Sequence, residues 1–129
     1  MKETIDDIKA AIREFLRTYG QPVEAKTPIS KKEHLEVWTI GGRYRAAGLE
    51  LNHARLVNFW VTSMNIPPDL PNAVEITRKT PKGGKWTDAN GNGANSNLSS
   101  YDQFRTKPIA RLAVTSSADA FIILTHLNR

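Results

Sequence analysis

Residues 55–64 read RLVNFWVTSM, the most hydrophobic strand candidate in the chain. Along an extended backbone, Val57, Phe59 and Val61 point to one side and Leu56, Trp60 and Met64 to the other. A strand that is apolar on both faces needs cover on both. That places it centrally in a sheet, with a helix on at least one side. Upstream, Leu35, Val37 and Thr39 alternate with His34, Glu36 and Trp38, and Gly41-Gly42 supplies a tight turn. Residues 43–51 return as a second strand, where Gly48 after Ala46 and Ala47 predicts a bulge. Asn52-His53 reads as the next turn. Downstream, IPPDLP at 66–71 cannot be a central strand because its prolines lack backbone donors. Residues 73–79 and 109–115 supply a fourth and a fifth strand.

The ends of the chain read as helices. Ile5, Ile8, Ile12, Phe15, Leu16 and Tyr19 recur at three- and four-residue spacing and form one apolar stripe. Thr4 with Asp7 approximates a capping box, and Asp6 and Asp7 sit at the positive end of the dipole. Arg13 and Arg17 lie toward the negative end, and Gly20 follows where a left-handed C-cap is expected. QPVEAKTPISKK at 21–32 has two prolines and no period, so it reads as a connector. Ser116 or Ser117 caps a last helix with Asp119 in its first turn and Phe121, Ile122, Leu124 and Leu127 as its buried stripe. His126 near its end suits the dipole. The predicted fold class is α+β: a curved, mostly antiparallel sheet of about five strands, an N-terminal and a C-terminal helix packed on it, and a long basic Gly/Asn-rich loop. Residues 1–129 form one domain, of a size that suits the recognition module of a larger nuclease or regulator.

Cysteine is absent, which excludes disulfides, thiolate metal sites and cysteine nucleophiles. The apolar runs are short, and the opening MKETIDDIKAAI places acids where a signal peptide would be basic. A soluble, cytoplasmic protein with no membrane association is expected. The pI near 9.7 favours anionic partners.

The charge has an address. Between residues 76 and 111, Arg78, Lys79, Lys82, Lys85, Arg105, Lys107 and Arg111 stand against Asp88 and Asp102, a net +5 that equals the formal charge of the whole chain. The 28 residues 80–107 are long for a connection inside a compact domain, and such loops are commonly functional. The pairs Asn90-Gly91 and Asn92-Gly93 would also turn a β-ribbon there. Lysine and arginine neutralise phosphates, and aromatic rings stack on bases. On this reasoning a nucleic-acid surface is expected from Arg43, Arg45, Arg78, Lys79, Lys82, Lys85, Trp86, Tyr101, Arg105, Lys107 and Arg111.

Catalytic patterns are weaker. His34 and Glu36 share a strand face, with His53 as a third candidate, but a zinc deaminase built on His-x-Glu also needs cysteines. Pro68-Asp69 followed by Glu75 and Lys79 resembles the Pro-Asp … Glu-x-Lys pattern of restriction-type nucleases. It departs in the short spacing from Asp69 to Glu75 and in Thr77, which stands where the lysine should be. No phosphate-binding glycine loop precedes a helix. The leading expectation is a nucleic-acid-binding module, for DNA before RNA, without cofactor or metal. The alternative is a module for an acidic protein partner, and a metal-dependent nuclease ranks third.

Overall fold

The hydrophobic run does hold the central place. The computed structural model describes residues 3–29, 34–42, 44–82, 85–87 and 93–129. The elements in chain order are α1 (Ile5–Tyr19), β1 (Gln21–Pro22), β2 (Glu36–Thr39), β3 (Ala46–Glu50), β4 (Val57–Thr62), β5 (Glu75–Lys82), β6 (Lys85–Thr87), β7 (Ile109–Val114) and α2 (Ser117–Leu127). One sheet of seven strands runs in the order β1-β2-β3-β4-β7-β5-β6, with antiparallel pairing throughout. β4 is fourth of the seven, and all six of its residues are buried. The α+β class with two terminal helices is as expected. The two extra strands, β1 and β6, have two and three residues, too few to show a period.

Alternation sends two sets of side chains to two cores. On one face Ala47 and Leu49 of β3, Val57, Phe59 and Val61 of β4, and Ala110, Leu112 and Val114 of β7 meet Ile8, Ile12 and Leu16 of α1 and Ala120, Ile123, Leu124 and Leu127 of α2. The helices also pack on each other, with Phe15 and Phe121 6.1 Å apart between ring centroids. On the other face Val37, Ala46, Trp60 and Ile109 are covered by Trp86, Leu98, Tyr101 and Phe104. The second cover is not a free loop. Residues Ser96–Ser100 form a 3-10 helix, and backbone bonds such as Arg105 N to Tyr101 O at 3.0 Å fold the chain back toward β7.

Both helix starts follow their sequence signals. Thr4 and Asp7 complete a reciprocal capping box, and Ser116 Oγ accepts from Asp119 N at 3.1 Å. Glu3 reaches across to Ser117, accepting from its backbone N at 2.9 Å. Among the described residues, no helix is long and apolar enough to cross a membrane.

Several local expectations are corrected. Gly20 is extended at φ −103° and ψ 162°, not left-handed. Its lack of a side chain is used for close approach, since a Cβ would lie 2.9 Å from Leu16 O. The register Val37–Gly48 and Gly48–Trp60 is continuous, so no bulge occurs at Gly48. A Cβ there would lie 3.1 Å from Leu35 Cδ1 and 3.3 Å from Leu98 Cδ2, so glycine gives the second cover room to settle on the sheet. Met64 falls in the 3-10 turn Ser63–Asn65 after β4 and is 80% exposed. The ribbon of β5 and β6 pairs Lys82 with Lys85. Residues 88–92, which carry most of the Asn-Gly pairs, lie outside the described residues. Pro81 is accommodated because β5 pairs with β7 only as far as Lys79.

Candidate functional site

The basic residues grouped by sequence are separated by the sheet. Arg78 pairs with Ala110 and so takes the helix-covered face, while Lys79 and Arg111 take the other. Arg78 and Arg105 are exposed, and Lys107 and Arg111 are half-buried. Lys79 is 2% exposed and belongs to the interior. Lys107 Nζ lies 4.1 Å from the Tyr44 ring centroid, a cation–π contact that holds its stem along the protein. Arg45 donates from Nη1 to His126 O at 2.7 Å, so it satisfies a carbonyl at the C-terminal end of α2. The dipole role expected of His126 therefore belongs to Arg45. Burial, Arg129 and Arg45 all lower the His126 pKa, with Asp69 opposing them. Arg43 lies outside the described residues. Lys82 and Lys85 are placed by their backbone, at the end of the β5–β6 ribbon.

Trp86 and Tyr101 are not contact residues for a base. Trp86 is 7% exposed, and its Nε1 donates to Lys107 O at 2.6 Å. Tyr101 is 4% exposed, and its burial raises the phenol pKa. The cover over Trp86 comes from elsewhere in the chain. Its apolar neighbours Leu98, Phe104 and Ile109 arrive from later in the chain.

A polar constellation lies on the second face, beside the apolar cover. Register sets Glu50 beside Asn58 and Trp60 beside Arg111 across β3, β4 and β7. The Glu50 carboxylate accepts from Asn58 Nδ2 at 2.9 Å through Oε1 and from Asn95 Nδ2 at 2.8 Å through Oε2. Asn95 is itself fixed by accepting Asn97 N at 3.0 Å. Asn58 Nδ2 also approaches His53 Nε2 at 3.2 Å. An amide nitrogen can only donate, so this contact needs His53 Nε2 as acceptor, with the proton on Nδ1. His53 Nε2 is 3.6 Å from Glu50 Oε1 and would pair with it if the ring were protonated. Burial pushes the Glu50 carboxyl up. The amide donors of Asn95 and Asn58, with Trp60 and His53 beside them, outweigh it and hold the group below the usual glutamate range. These residues line a cleft of about 340 Å³.

Trp60 contributes a loose end. Its Nε1 is buried and makes no hydrogen bond of acceptable geometry, although it lies close enough to favour the charged carboxylate. Arg111 lies over the same indole, with Cζ 5.9 Å from the ring centroid. Of this set Arg111 stood among the expected nucleic-acid contacts, and His53 as the third catalytic candidate. Asn95 lies 45 residues beyond Glu50, and no spacing rule connects the two.

The catalytic patterns take other places. Glu36 lines a cleft with His34 and is held by Arg13, with Nη2 2.9 Å from Oε2, on the α1 side of the sheet. Asp69 borders a cleft with Phe121, Thr125 and His126, whereas Glu75 is in register with Ala113 on the opposite face. Among the described residues, no three of His, Asp and Glu gather as a metal site. Comparison of the chain with protein-family models, characterised proteins and solved structures finds no match, so the reading of function rests on the site itself.

Proposed function

We propose that this protein is a nucleic-acid-binding module, with DNA preferred to RNA. One observation carries the reading: the whole net charge of +5 falls within residues 76–111, the segment that forms the β5–β6 edge and the second cover. The surface is narrower than the sequence suggests. Its contacts wrap the β5–β6 edge, with Arg78 on one face of the sheet and Arg111 on the other, joined by Arg105 and the ribbon-end residues Lys82 and Lys85. Arg45, Lys79, Trp86 and Tyr101 serve the fold. Contact is then mainly electrostatic, with cations neutralising phosphates and releasing counterions.

The test is an anisotropy titration of duplex DNA, single-stranded DNA and RNA at several salt concentrations. About four phosphate contacts on duplex DNA correspond to a slope of log affinity against log salt of roughly −3 to −4. Arg78→Ala and Arg105→Ala should each reduce that slope by about 1. Absence of binding to every nucleic acid at about 50 mM salt, where the counterion term is strong, would replace this reading with the one of an acidic protein partner.

A further inference from the structure

We propose that Tyr44, flanked by Lys107 and Met64 at one end of the sheet, is the platform on which an unpaired base of single-stranded DNA stacks, an inference that rests on the nucleic-acid reading above. Trp60, Trp86, Tyr101 and Phe104 are all buried, so none of them can lie against a base. Among the described residues, the aromatic side chains that stay exposed are Tyr19, Tyr44 and Phe121, at 52%, 50% and 39%. Tyr19 and Phe121 flank Phe15 in the helix layer. Of the three, Tyr44 meets a cation of the basic segment, with the Lys107 ammonium 4.1 Å from its ring centroid. An aromatic ring beside a cation is the recurring unit of single-strand binding, because every base has a π-face and every nucleotide carries a phosphate.

A second observation is that buried donors fix this cluster before any ligand arrives. Asn65, 6% exposed, donates from its amide to Tyr44 O at 2.7 Å and to Thr62 Oγ1 at 3.0 Å, so the Tyr44 backbone is tied to the end of β4. Ser63 N donates to Pro108 O at 2.9 Å, and Trp86 Nε1 donates to Lys107 O. The 3-10 turn that carries Met64 is thus pinned to the Tyr44 segment on one side and to the Lys107–Pro108 segment on the other. Met64 itself is left exposed, and a thioether is soft and polarisable enough to pack on an aromatic face. Lys107 does not close the platform. A ring has two faces, the ammonium lies over one, and Tyr44 is half exposed with that contact made. A base laid on the ring brings its phosphate toward the same ammonium. Duplex DNA keeps its bases stacked and paired, so only an unstacked base can take this place. Holding the platform in advance limits the ordering cost of recognition.

The test uses the full chain with an oligothymidylate, its duplex with oligoadenylate, and an oligothymidylate carrying one central iodouracil. Tyr44→Ala should weaken binding of the single strand roughly tenfold, the effect of one lost stacking contact, and binding of the duplex by less than about twofold. The salt slope of the single strand should stay as in the wild type, because no charge is removed. Tyr44→Phe keeps the ring and should bind the single strand as the wild type does. Irradiation of the wild-type chain with the iodouracil strand should cross-link the base to Tyr44 or Met64, read by mass spectrometry of the digested protein. Undiminished single-strand affinity in Tyr44→Ala, an equal loss on single strand and duplex, or a cross-link confined to other residues would overturn the platform and leave the nucleic-acid reading in place. Absence of binding to both forms at about 50 mM salt would remove the nucleic-acid reading and the platform with it. Thermal melts show whether Tyr44→Ala is folded. The cross-link needs no variant, so it decides the matter even if that substitution unfolds the chain.

Discussion

Trp86 is held by an apolar cluster and by the hydrogen bond from its Nε1 to Lys107 O. Trp86→Ala should therefore destabilise the protein by about 3–5 kcal/mol in urea unfolding, the range for removing a large aromatic from a core. The nucleic-acid affinity of the folded fraction should be unchanged. An unaltered midpoint with weakened binding would return Trp86 to the surface. Glu50 gives a prediction with a sign. Its carboxyl is depressed in the folded state, so its contribution is full above the unfolded value near 4.5 and is lost as pH falls through the lower folded value. The wild type should lose stability over that acid window, and Glu50→Gln should show a flatter acid limb in pH-dependent melts. Residue roles were the least legible level in the sequence. Lysine and arginine types gave the charge correctly, but Arg45 and Lys79 are engaged inside the fold for reasons that only three-dimensional neighbours supply. Glu50 and Asn95 gave no local signal because their bond spans two distant segments.

The elements were read more successfully where the signal is local. Helix α1 starts at its capping box and ends where Gly20 meets Leu16 O, and both ends were visible as residue types even though the Gly20 conformation was not. Strand β4 was visible as a run apolar on both faces, and all six of its residues are buried. β1 is a two-residue edge pairing, so no periodicity could reveal it. The cover from 93 to 107 looked like loop because its buried residues, Leu98, Tyr101 and Phe104, follow neither helix nor strand spacing. Gly48 is where that cover and the sheet approach closely. Gly48→Ala should cost about 1–3 kcal/mol by overpacking against Leu35 and Leu98, despite the usual benefit of replacing glycine in a strand. A denaturation midpoint equal to or above wild type would show that the cover can shift. Arg45→Ala should cost about 1–2 kcal/mol through the lost carbonyl contact on α2 and leave the salt slope of nucleic-acid binding untouched.

For the whole molecule, one sheet with a core on each side ties the two covers together. Trp60 on β4 faces one core while its neighbours Phe59 and Val61 face the other. Loss of packing on one side should therefore be felt as a single transition. Phe104→Ala, made on the side away from the helices, should lower the midpoint seen by far-ultraviolet dichroism and by tryptophan fluorescence to the same extent, with an unchanged m-value. Two separated transitions would mean that the second cover unfolds alone. The strand order adds a consequence for biosynthesis. Because β7 lies between β4 and β5, the seam at the middle of the sheet is filled by residues that leave the ribosome after both of their neighbours. Until 109–114 emerge, β4 presents an open edge on that side and β5 has no central neighbour. A nascent chain halted at residue 107 is thus a sheet with its keystone missing, exposed to adhesive pairing with other chains, and the sheet is sealed when residues 109–114 slot into its middle.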